Sequence, residues 1–589
     1  MRASPGKLSV RILSALQSAR PPLDLPNRWD IVVFPALFGV IFLLAWGSHQ
    51  MAGPYSLGEP LHITLDPAAL PEYALRTVLR MGAAMVFSLL FTLTYATLAA
   101  KNRRAEQVMV PLLDVLQSVP ILGFLSITVM GFIHLFPGSL LGPEAAAIFA
   151  IFTSQAWNMA FSFYHSLRMI PKELYQVADV FQLSAWQRFW KLEVPFAMPN
   201  LLWNTMMSAS GGWFFVVASE AISVAGHDIL LPGVGSYIAT AIQQQNLTAI
   251  GYAIGTMLLV VLVTDQLVFR PLVAWADRFK FEQVTAGEAP TSWVFTLLTR
   301  TRLLRKLLIL PARIWEWSVR LFQHIPAKPF PRIRLRITRR EARRLDRLWN
   351  WFLIVAAGLS IVVLARFVLS EAGYAEVGRV FLLGLATATR VLVLMVLASL
   401  IWVPVGVWIG LHPRLAQHLQ PVALFLAAFP ANLLFPLAVS LIVLHHLSPE
   451  IWLSPLMILG TQWYILFNVI AGASAIPADL REVAANLGLR RAALWRRLIL
   501  PAIFPAFVTG GITASGGAWN ASVVSEIASW GATTVSATGI GAYIAQQTAS
   551  GDYPRVALGI AVMSLYVIAF NRLVWRRLYL YAEKRLTLG

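Results

Sequence analysis

Cysteine is absent from this sequence, and charged residues are scarce. Without a thiol the chain can form neither a disulfide nor a thiolate metal site. Only 13% of its 589 residues are charged, while 58% are hydrophobic. This balance is too apolar for one soluble core and is typical of a polytopic membrane protein. The composition therefore excludes a disulfide framework and favours a chain that crosses a membrane many times.

The sequence also lacks a phosphate-binding loop and residues with metal-ligand spacing. Its only Gly-Lys pair, at residues 6 and 7, is not preceded by the glycine-rich loop that cradles nucleotide phosphates. We therefore expect no cofactor, no metal and no ATP hydrolysis in this chain. No dense set of ionisable and nucleophilic residues indicates a catalytic centre, so the sequence does not predict an enzyme.

Acidic residues are few, and the 47 Lys and Arg against 28 Asp and Glu give a net charge of +19. In a soluble domain this excess would indicate nucleic-acid binding. Here the basic residues follow the membrane topology instead. All but six of them lie in segments 1–29, 101–107, 168–195, 270–349, 412–420, 476–500 and 572–589. The positive-inside rule places these segments and both termini in the cytoplasm, and no nucleic-acid partner is expected.

Hydrophobic runs long enough to span a bilayer occur twelve times. They are 30–47, 78–100, 111–135, 144–167, 196–222, 249–269, 350–369, 381–411, 421–444, 451–473, 502–528 and 556–575. Because a spanning helix needs about 20 mostly apolar residues, these runs predict twelve transmembrane helices embedded in a lipid bilayer.

The chain contains an internal duplication. In the later part of each half the offset is 306 residues, so that GVGSYIA at 233–239 matches GIGAYIA at 539–545. Upstream the offset is 310, and Thr77 matches Thr387. Six spans in each half is an even number, which predicts parallel repeats related by an axis near the membrane normal. The predicted domains are a cytoplasmic segment 1–29, a six-span repeat 30–270, a linker 271–348 and a second repeat 349–589.

The linker has a hydrophobic middle that is not predicted to be a further span. Its basic cluster consists of Arg300, Arg302, Arg305 and Lys306. Each would cost about 2.5–3.5 kcal/mol at the centre of a bilayer. We expect an amphipathic helix at the membrane surface here, followed by a solvated basic run at 332–348.

Residues 477–501 have the pattern of a short helix, a turn and a second helix. Pro477 suits the first helical position, and Gly488 stands where a left-handed residue would end the helix. One apolar face is formed by Leu480, Val483, Ala484 and Leu487. A lone segment of this kind is ordinarily a helix at the lipid surface. Its recurrence at 171–195 favours a pair of docking helices for a two-fold partner.

This segment resembles the EAA motif of binding-protein-dependent ABC importer permeases, E-A-A-x-x-x-G-x9-I-x-L-P. The matching residues are Glu482, Ala484, Gly488, Leu500 and Pro501. GGAWNASVVSE at 516–526, the Thr-x-x-Arg of the second span and the G-[VI]-G-x-Y-I loop are similar to the nitrate, sulfonate, taurine and bicarbonate branch. The resemblance covers about 76–280 and 386–585. Since such permeases are normally six-span chains that dimerise, this sequence resembles a fused pair.

The resemblance implies an all-α polytopic membrane protein with the MetI-like fold. Its two parallel six-span repeats would form a pseudo-dimeric type I importer permease in the bacterial inner membrane. The implied partners are two copies of a cytoplasmic ABC ATPase, which bind ATP and Mg, and a periplasmic substrate-binding protein. The implied function is import of a small solute, an oxyanion or a sulfonate, by alternating access, with no enzymatic activity in this chain.

The resemblance further implies that the EAA segment is a coupling helix seated in a groove of the ATPase. The residues assigned to this role are Glu482, Ala484, Gly488 and Pro501 in the second repeat, and Pro171, Gln176, Ala178 and Gln182 in the first. In the first copy Gln176 replaces the glutamate and Gln182 replaces the glycine. A residue other than glycine adopts the left-handed cap at about 1 kcal/mol, so we expect the same local fold but an altered docking surface.

Polar and aromatic residues that recur inside both repeats are candidates for the pathway or its gate. They are Arg80, Arg390, Glu220, Glu526, Trp213 and Trp519. Glu220 lies 25 residues after Pro195, about 37 Å along a helix and near the outer membrane edge. Buried charges in membranes usually pair, so the arginines and glutamates either hold helices together or line the pathway. The pairing could be within one repeat or across the two, and the tryptophans could be interface anchors or pathway walls.

A secondary transporter of six plus six spans is the alternative function. Such a protein couples transport to an ion and usually buries carboxylates near the membrane midplane. The recurring glutamates are instead predicted near the membrane edge. This position favours the importer permease over the secondary transporter.

Overall fold

A computed structural model describes residues 27–56, 61–224, 227–276, 292–301 and 339–585, with four isolated positions between 279 and 317. Across these residues the regular structure is helical apart from two β-hairpins. Seven helices are long and apolar enough to cross a membrane, and counting three bent helix pairs as single spans gives ten. The prediction of an all-α polytopic protein is confirmed.

The first repeat contains one hairpin and eleven α-helices within the described residues. They are α1 (Arg28–Gln50), α2 (Leu70–Lys101), α3 (Arg103–Ser118), α4 (Ile121–Leu135), α5 (Leu141–Met169), α6 (Lys172–Val180), α7 (Ala185–Arg188), α8 (Val194–Glu220), β1 (Ala221–Val224), β2 (His227–Leu230), α9 (Val234–Gln243), α10 (Leu247–Thr264) and α11 (Arg270–Ala276). Each hairpin is antiparallel, with Ala221 opposite Leu230 in the first.

The second repeat follows the same order after α12 (Trp293–Arg300) in the linker. Its elements are α13 (Arg339–Leu369), α14 (Tyr374–Gly410), α15 (Pro413–Ala428), α16 (Phe435–Leu444), α17 (Pro449–Trp452), α18 (Leu456–Leu459), α19 (Gln462–Ser474), α20 (Ala478–Asn486), α21 (Arg491–Leu494), α22 (Leu500–Ser525), β3 (Ile527–Trp530), β4 (Thr533–Ser536), α23 (Ile540–Ser550), α24 (Tyr553–Phe570) and α25 (Arg576–Arg585). The turn of the second hairpin places Gly531 at φ +59°, a conformation that glycine adopts without a steric penalty.

The third predicted span of each repeat is a bent pair of helices and not one straight helix. Helices α3 and α4 meet at 93°, and α15 meets the helical stretch 431–444 at 75°. Val119 and Phe429, each just before a proline, are extended with ψ 128°. Proline excludes the helical conformation at the preceding residue and lacks an N–H, which explains both breaks. The sequence predicts these spans at 111–135 and 421–444, and each is bent at its proline; each bent pair still has the length and apolar composition of one span.

The linker prediction is only partly covered by the described residues. Helix α12 begins after the Ser292 cap and ends at Arg300, and the remainder of the predicted amphipathic helix lies outside the described residues. Helix α13 already begins at Arg339 and continues into the predicted span. The end of the basic run is thus part of a spanning helix, and the boundary drawn at 348 falls inside that helix.

The two repeats pack in the same way and interlock. Helix α5 packs between α2 and α8 in the first repeat, as α19 packs between α14 and α22 in the second. Between repeats, α4 contacts α22, and α8 contacts the 3₁₀ turn Ala431–Leu434. Strand β1 contacts α23 and β3 contacts α9, so each hairpin reaches the opposite repeat, although β3 packs mainly on α16 of its own repeat. The interface is therefore pseudo-two-fold.

Helices α8 and α22 each run from one end of the molecule to the other. Helix α8 has 27 residues and is about 40 Å long. One end carries the β-hairpins and is called the hairpin end. The other carries α6 and α20 and is called the short-helix end.

Candidate functional site

A buried ion-pair cluster lies at the hairpin end of the first repeat. Arg80 is fully buried and donates to both oxygens of Glu144 at 2.5 and 2.7 Å and to Glu220 at 2.6 Å. Thr77 donates to Glu220 at 2.7 Å, and the backbone N–H of Gly235 donates to the other Glu220 oxygen at 2.6 Å. The cluster joins α2 and α5 to the end of α8 and the start of α9.

The second repeat has the equivalent cluster in a more open form. Arg390 donates to Glu526 at 3.2 Å and also contacts Glu450. Thr387 donates to Glu526 at 2.7 Å, and the N–H of Gly541 donates to Glu526 at 2.8 Å. The Arg390 side chain is 14% exposed and that of Glu450 is 47% exposed. Water can therefore solvate part of this cluster, whereas the first cluster is dry.

Each arginine pairs with the glutamate of its own repeat, which answers the question that the sequence left open. Sequence reasoning missed the second carboxylate of each cluster, Glu144 and Glu450. Both match at the offset of 306 residues that aligns the rest of the repeats, so this signal was present. Neither arginine lines the cavity between the repeats, so the clusters hold helices together at its hairpin end.

The two recurring tryptophans are interior residues in this structure. Trp213 is 1% exposed and packs within the core of the first repeat. Trp519 is 2% exposed and stacks on Tyr566, with ring centroids 6.3 Å apart. Neither lines the central cavity. Each ring instead fills the interior of its own repeat.

A cavity of about 380 Å³ lies between the two repeats. Its polar lining groups include Thr153, Ser154, Asn158, Asn204 and Ser208 of the first repeat and Thr461, Tyr464, Asn468, Thr509, Thr513 and Asn520 of the second. Asn520 also accepts from the N–H of Ile121 at 2.9 Å, a bond between the repeats at the start of α4. The cavity therefore offers hydrogen-bond donors and acceptors from both halves.

The short helices α6 and α20 have the local structure that the EAA pattern predicts. Pro171 and Pro477 are the N-cap residues, so each lies one position before the first helical position that was predicted for Pro477. The residues after the helices, Gln182 and Gly488, are left-handed with φ +50° and +65°. The prediction that Gln182 can take the place of a glycine in this cap is confirmed.

Each short helix buries one alanine and exposes larger apolar side chains. Ala178 and Ala484 are both 4% exposed, and through them the short helices pack against the rest of the protein. Val177 and Phe181 are 51% and 72% exposed. The equivalent Val483 and Leu487 are 52% and 71% exposed, beside the exposed Gln176 and Glu482. Apolar side chains presented at equivalent places on two helices indicate surfaces for a partner.

A π-helical turn connects each of these segments to the long helix that follows. The turns are Phe189–Glu193 and Trp495–Ile499, and Pro195 and Pro501 follow them as second residues of α8 and α22. Because proline has no N–H for the helical ladder, the wider turn accommodates it. The matching prolines of the motif thus fix how the short-helix end joins the membrane helices.

Ion pairs support the short helix of the first repeat. Lys101 lies 2.7 Å from the buried Glu193, and Arg188 contacts Asp179. Arg188 also lies over the ring of Tyr175, 5.7 Å from its centroid. Burial, with the nearby Glu193 carboxylate, raises the pKa of Tyr175 to about 12, so the phenol stays protonated at neutral pH.

The second repeat replaces these four charged residues by apolar ones. The equivalent positions are Leu411, Ile499, Leu494 and Ala485. All four line an apolar groove of about 170 Å³ next to α20. The two short helices therefore lie beside chemically different residues, charged in the first repeat and apolar in the second. These two sets of four residues are called the supports of the short helices.

Comparison with known proteins identifies two family domains in this chain. The model for the binding-protein-dependent transport system inner membrane component matches residues 69–274 and 402–586. The bicarbonate transport system permease protein CmpB of Synechococcus elongatus is 24% identical over 271 residues, which are 43% of this chain and 91% of the relative. The nitrate import permease protein NrtB of Leptolyngbya laminosa is 29% identical over 189 residues, 32% of this chain and 64% of the relative.

A third relative is a probable ABC transporter permease protein of Brucella melitensis, 26% identical over 243 residues, 40% of this chain and 91% of the relative. Each alignment covers less than half of this chain, as expected if two permease domains are joined in one polypeptide. With two matched regions and two equivalent helical repeats, the chain belongs to the family of binding-protein-dependent transport system inner membrane components, the ABC transporter permeases, as a double-length member.

Proposed function

We propose that this chain is the membrane subunit of an ATP-driven importer in the bacterial inner membrane. It would move a small solute, an oxyanion or a sulfonate, into the cytoplasm by alternating access. The solute would be delivered by a periplasmic binding protein, and two copies of a cytoplasmic ABC ATPase would supply the energy. The names of the relatives, which include bicarbonate and nitrate permeases, support the solute class.

The observation that carries this proposal is the exposed apolar side chains on the two short helices, which are called the apolar tips. Val177 and Phe181 on α6, and Val483 and Leu487 on α20, are large side chains at equivalent positions. Two equivalent surfaces on one chain suit a partner with two equivalent subunits. An ATPase that docks on both helices would transmit its closure through the π-helical turns to α8 and α22.

We place the outer gate of the transport pathway at the hairpin end. There the ion-pair clusters of Arg80 and Arg390 attach the hairpins to the surrounding helices. Each cluster ties the end of a long central helix, just before a hairpin, to the surrounding helices. Because each hairpin reaches the opposite repeat, opening this end would require the hairpins to separate. We therefore assign the arginines and glutamates a structural role at the gate.

Association with the ATPase tests the proposal directly. Phe181→Ser and Leu487→Ser together should reduce co-purification of the ATPase at least tenfold, because they remove the apolar tips. Val86→Ser is a matched control, since Val86 is 56% exposed on α2 and lies away from the short-helix end. Unchanged co-purification with the double variant, at normal expression, would contradict the coupling role of α6 and α20.

The proposed orientation places the short-helix end and both termini in the cytoplasm. Because the chain has no cysteine, single introduced cysteines report on each end. Asn486→Cys at the short-helix end should be labelled only by reagents that enter the cytoplasm. Gln244→Cys, next to the second hairpin, should be labelled from the periplasm. The reverse pattern would invert the topology.

The cavity lining disfavours the secondary transporter. Among the described residues, no Asp, Glu, Lys, Arg or His lines the central cavity. A carrier driven by protons needs a titratable coupling group on the pathway. Uptake that persists without ATP but collapses with the ion gradient would favour the carrier.

A further inference from the structure

The central cavity combines many hydrogen-bonding groups with no formal charge. Of the described residues, none that lines it is acidic or basic. Arg80, the fully buried cation of the first repeat, is paired with both Glu144 and Glu220 and does not line the cavity. A solute in the cavity therefore meets neutral dipoles only.

Several of these dipoles have hydrogen-bonding capacity left for a solute. Asn158 donates one bond to Ser208 at 3.0 Å, and Asn468 donates one bond to a backbone carbonyl at 2.8 Å. An amide has two N–H donors, so each retains a second one. The buried hydroxyl of Thr461 has no partner in the described protein. The cavity can therefore donate to an anion from both repeats.

The polar groups are not distributed evenly between the repeats. Thr509, Thr513 and Asn520 of α22 line the cavity, and their equivalents on α8 are Trp203, Met207 and Phe214. The polar wall of α22 is thus matched by aromatic or apolar residues on α8 at these three positions. In the opposite sense, Asn204 and Ser208 of α8 line the cavity and match Gly510 and Ala514 of α22, so polar groups lie on both sides at positions that are not equivalent.

We propose that this cavity is a selectivity site that accepts singly charged or neutral solutes and rejects doubly charged anions. The Born cost of removing an ion from water rises with the square of its charge, so a dianion loses about four times as much hydration as a monoanion of equal size. Neutral donors replace only part of that loss, and no cation among the described lining residues supplies the rest. Bicarbonate, nitrate or an alkylsulfonate fits this lining, whereas sulfate and hydrogen phosphate do not.

This inference rests on the proposed transport function and names its solute class. The test measures binding of labelled bicarbonate, methanesulfonate and sulfate to the purified full-length chain in lipid nanodiscs at pH 8. At least one monovalent probe should bind tenfold or more tightly than sulfate. Sulfate bound as tightly as the monovalent probes, or no binding of either monovalent probe, would overturn the inference. The transport proposal is tested by co-purification of the ATPase with the short-helix end, whereas this inference is tested by solute binding to the chain alone. A failure of one experiment is therefore distinct from a failure of the other.

A pair of variants at one position tests the cause of the selectivity. Thr513→Arg adds a permanent cation to the polar wall and should narrow the preference for methanesulfonate over sulfate at least tenfold. Thr513→Met introduces the side chain that the first repeat carries at the equivalent Met207, and should weaken monovalent binding without helping sulfate. An equal shift of the ratio in both variants would overturn the electrostatic explanation. If thermal unfolding shows that Thr513→Arg does not fold, the comparison of probes on the unaltered chain decides.

Discussion

Replacing Arg80 by methionine should destabilise the protein far more than the same change at Arg390. In the first repeat, the change leaves Glu144 and Glu220 buried at 1% and 0% exposure, with no counter-charge. Removing one partner of a buried, hydrogen-bonded charge cluster costs about 3–5 kcal/mol. In the second repeat, Glu450 is 47% exposed and water can solvate it, while Glu526 keeps its bonds from Thr387 and Gly541. There we expect a loss of about 1–3 kcal/mol.

The assay is unfolding of the purified chain in detergent, followed by tryptophan fluorescence against denaturant and temperature. Adding Glu144→Gln to Arg80→Met should recover part of the lost stability, because one of the two stranded carboxylates becomes neutral. Equal destabilisation by Arg80→Met and Arg390→Met would refute the argument from burial. A simple exchange of Arg80 and Glu220 should fail to rescue, since the introduced carboxylate would face Glu144.

Three further outcomes are expected. Gln182→Gly should raise the free energy of unfolding by about 0.5 kcal/mol, because it relieves the left-handed backbone, and no gain in thermal unfolding would contradict that reasoning. Lys101→Leu alone should cost about 1–3 kcal/mol by stranding the buried Glu193, and adding Glu193→Ile should restore most of it. A double variant no more stable than the single one would show that the pair is not coupled. Glu482→Lys should reduce ATPase co-purification more than Gln176→Lys, and equal losses would mean that the divergence of the two motifs has no functional effect.

The local features that could be predicted are those set by neighbouring residues. The helix, cap and turn at 477–501 follow from the spacing of a few side chains, and the backbone adopts them in both copies. The internal repeat also followed directly, because a constant offset can be read from the sequence alone. Neither prediction required knowledge of which distant segments pack together.

The features that were missed have different causes, and the first is contact between distant segments. Glu144 and Arg80 are separated by 64 residues, and only the packing of α5 on α2 makes them partners. The hairpins were assigned to the ends of spans, because four-residue strands between apolar helices have no distinct periodicity. The bends at Pro120 and Pro430 were locally visible, but continuous hydrophobicity was given more weight than the missing N–H. The Trp213 and Trp519 rings could not be assigned, since an interior position and a pathway wall require the same apolar surface.

The different supports of the two short helices have a consequence for how substitutions act in this protein. In a permease assembled from two identical chains, every change in the gene enters both docking surfaces, and its energetic effect on the complex is doubled. Here a change at Asp179 or Arg188 enters one surface, and its counterpart at Ala485 or Leu494 stays as it was. Charged residues beside one short helix and apolar residues beside the other can therefore accumulate separately. Each substitution changes only one of the two surfaces, so its energetic effect on the complex is half of that in a homodimer. The joined chain can in this way present two non-identical surfaces at its short-helix end, which no homodimer of a single permease sequence can do.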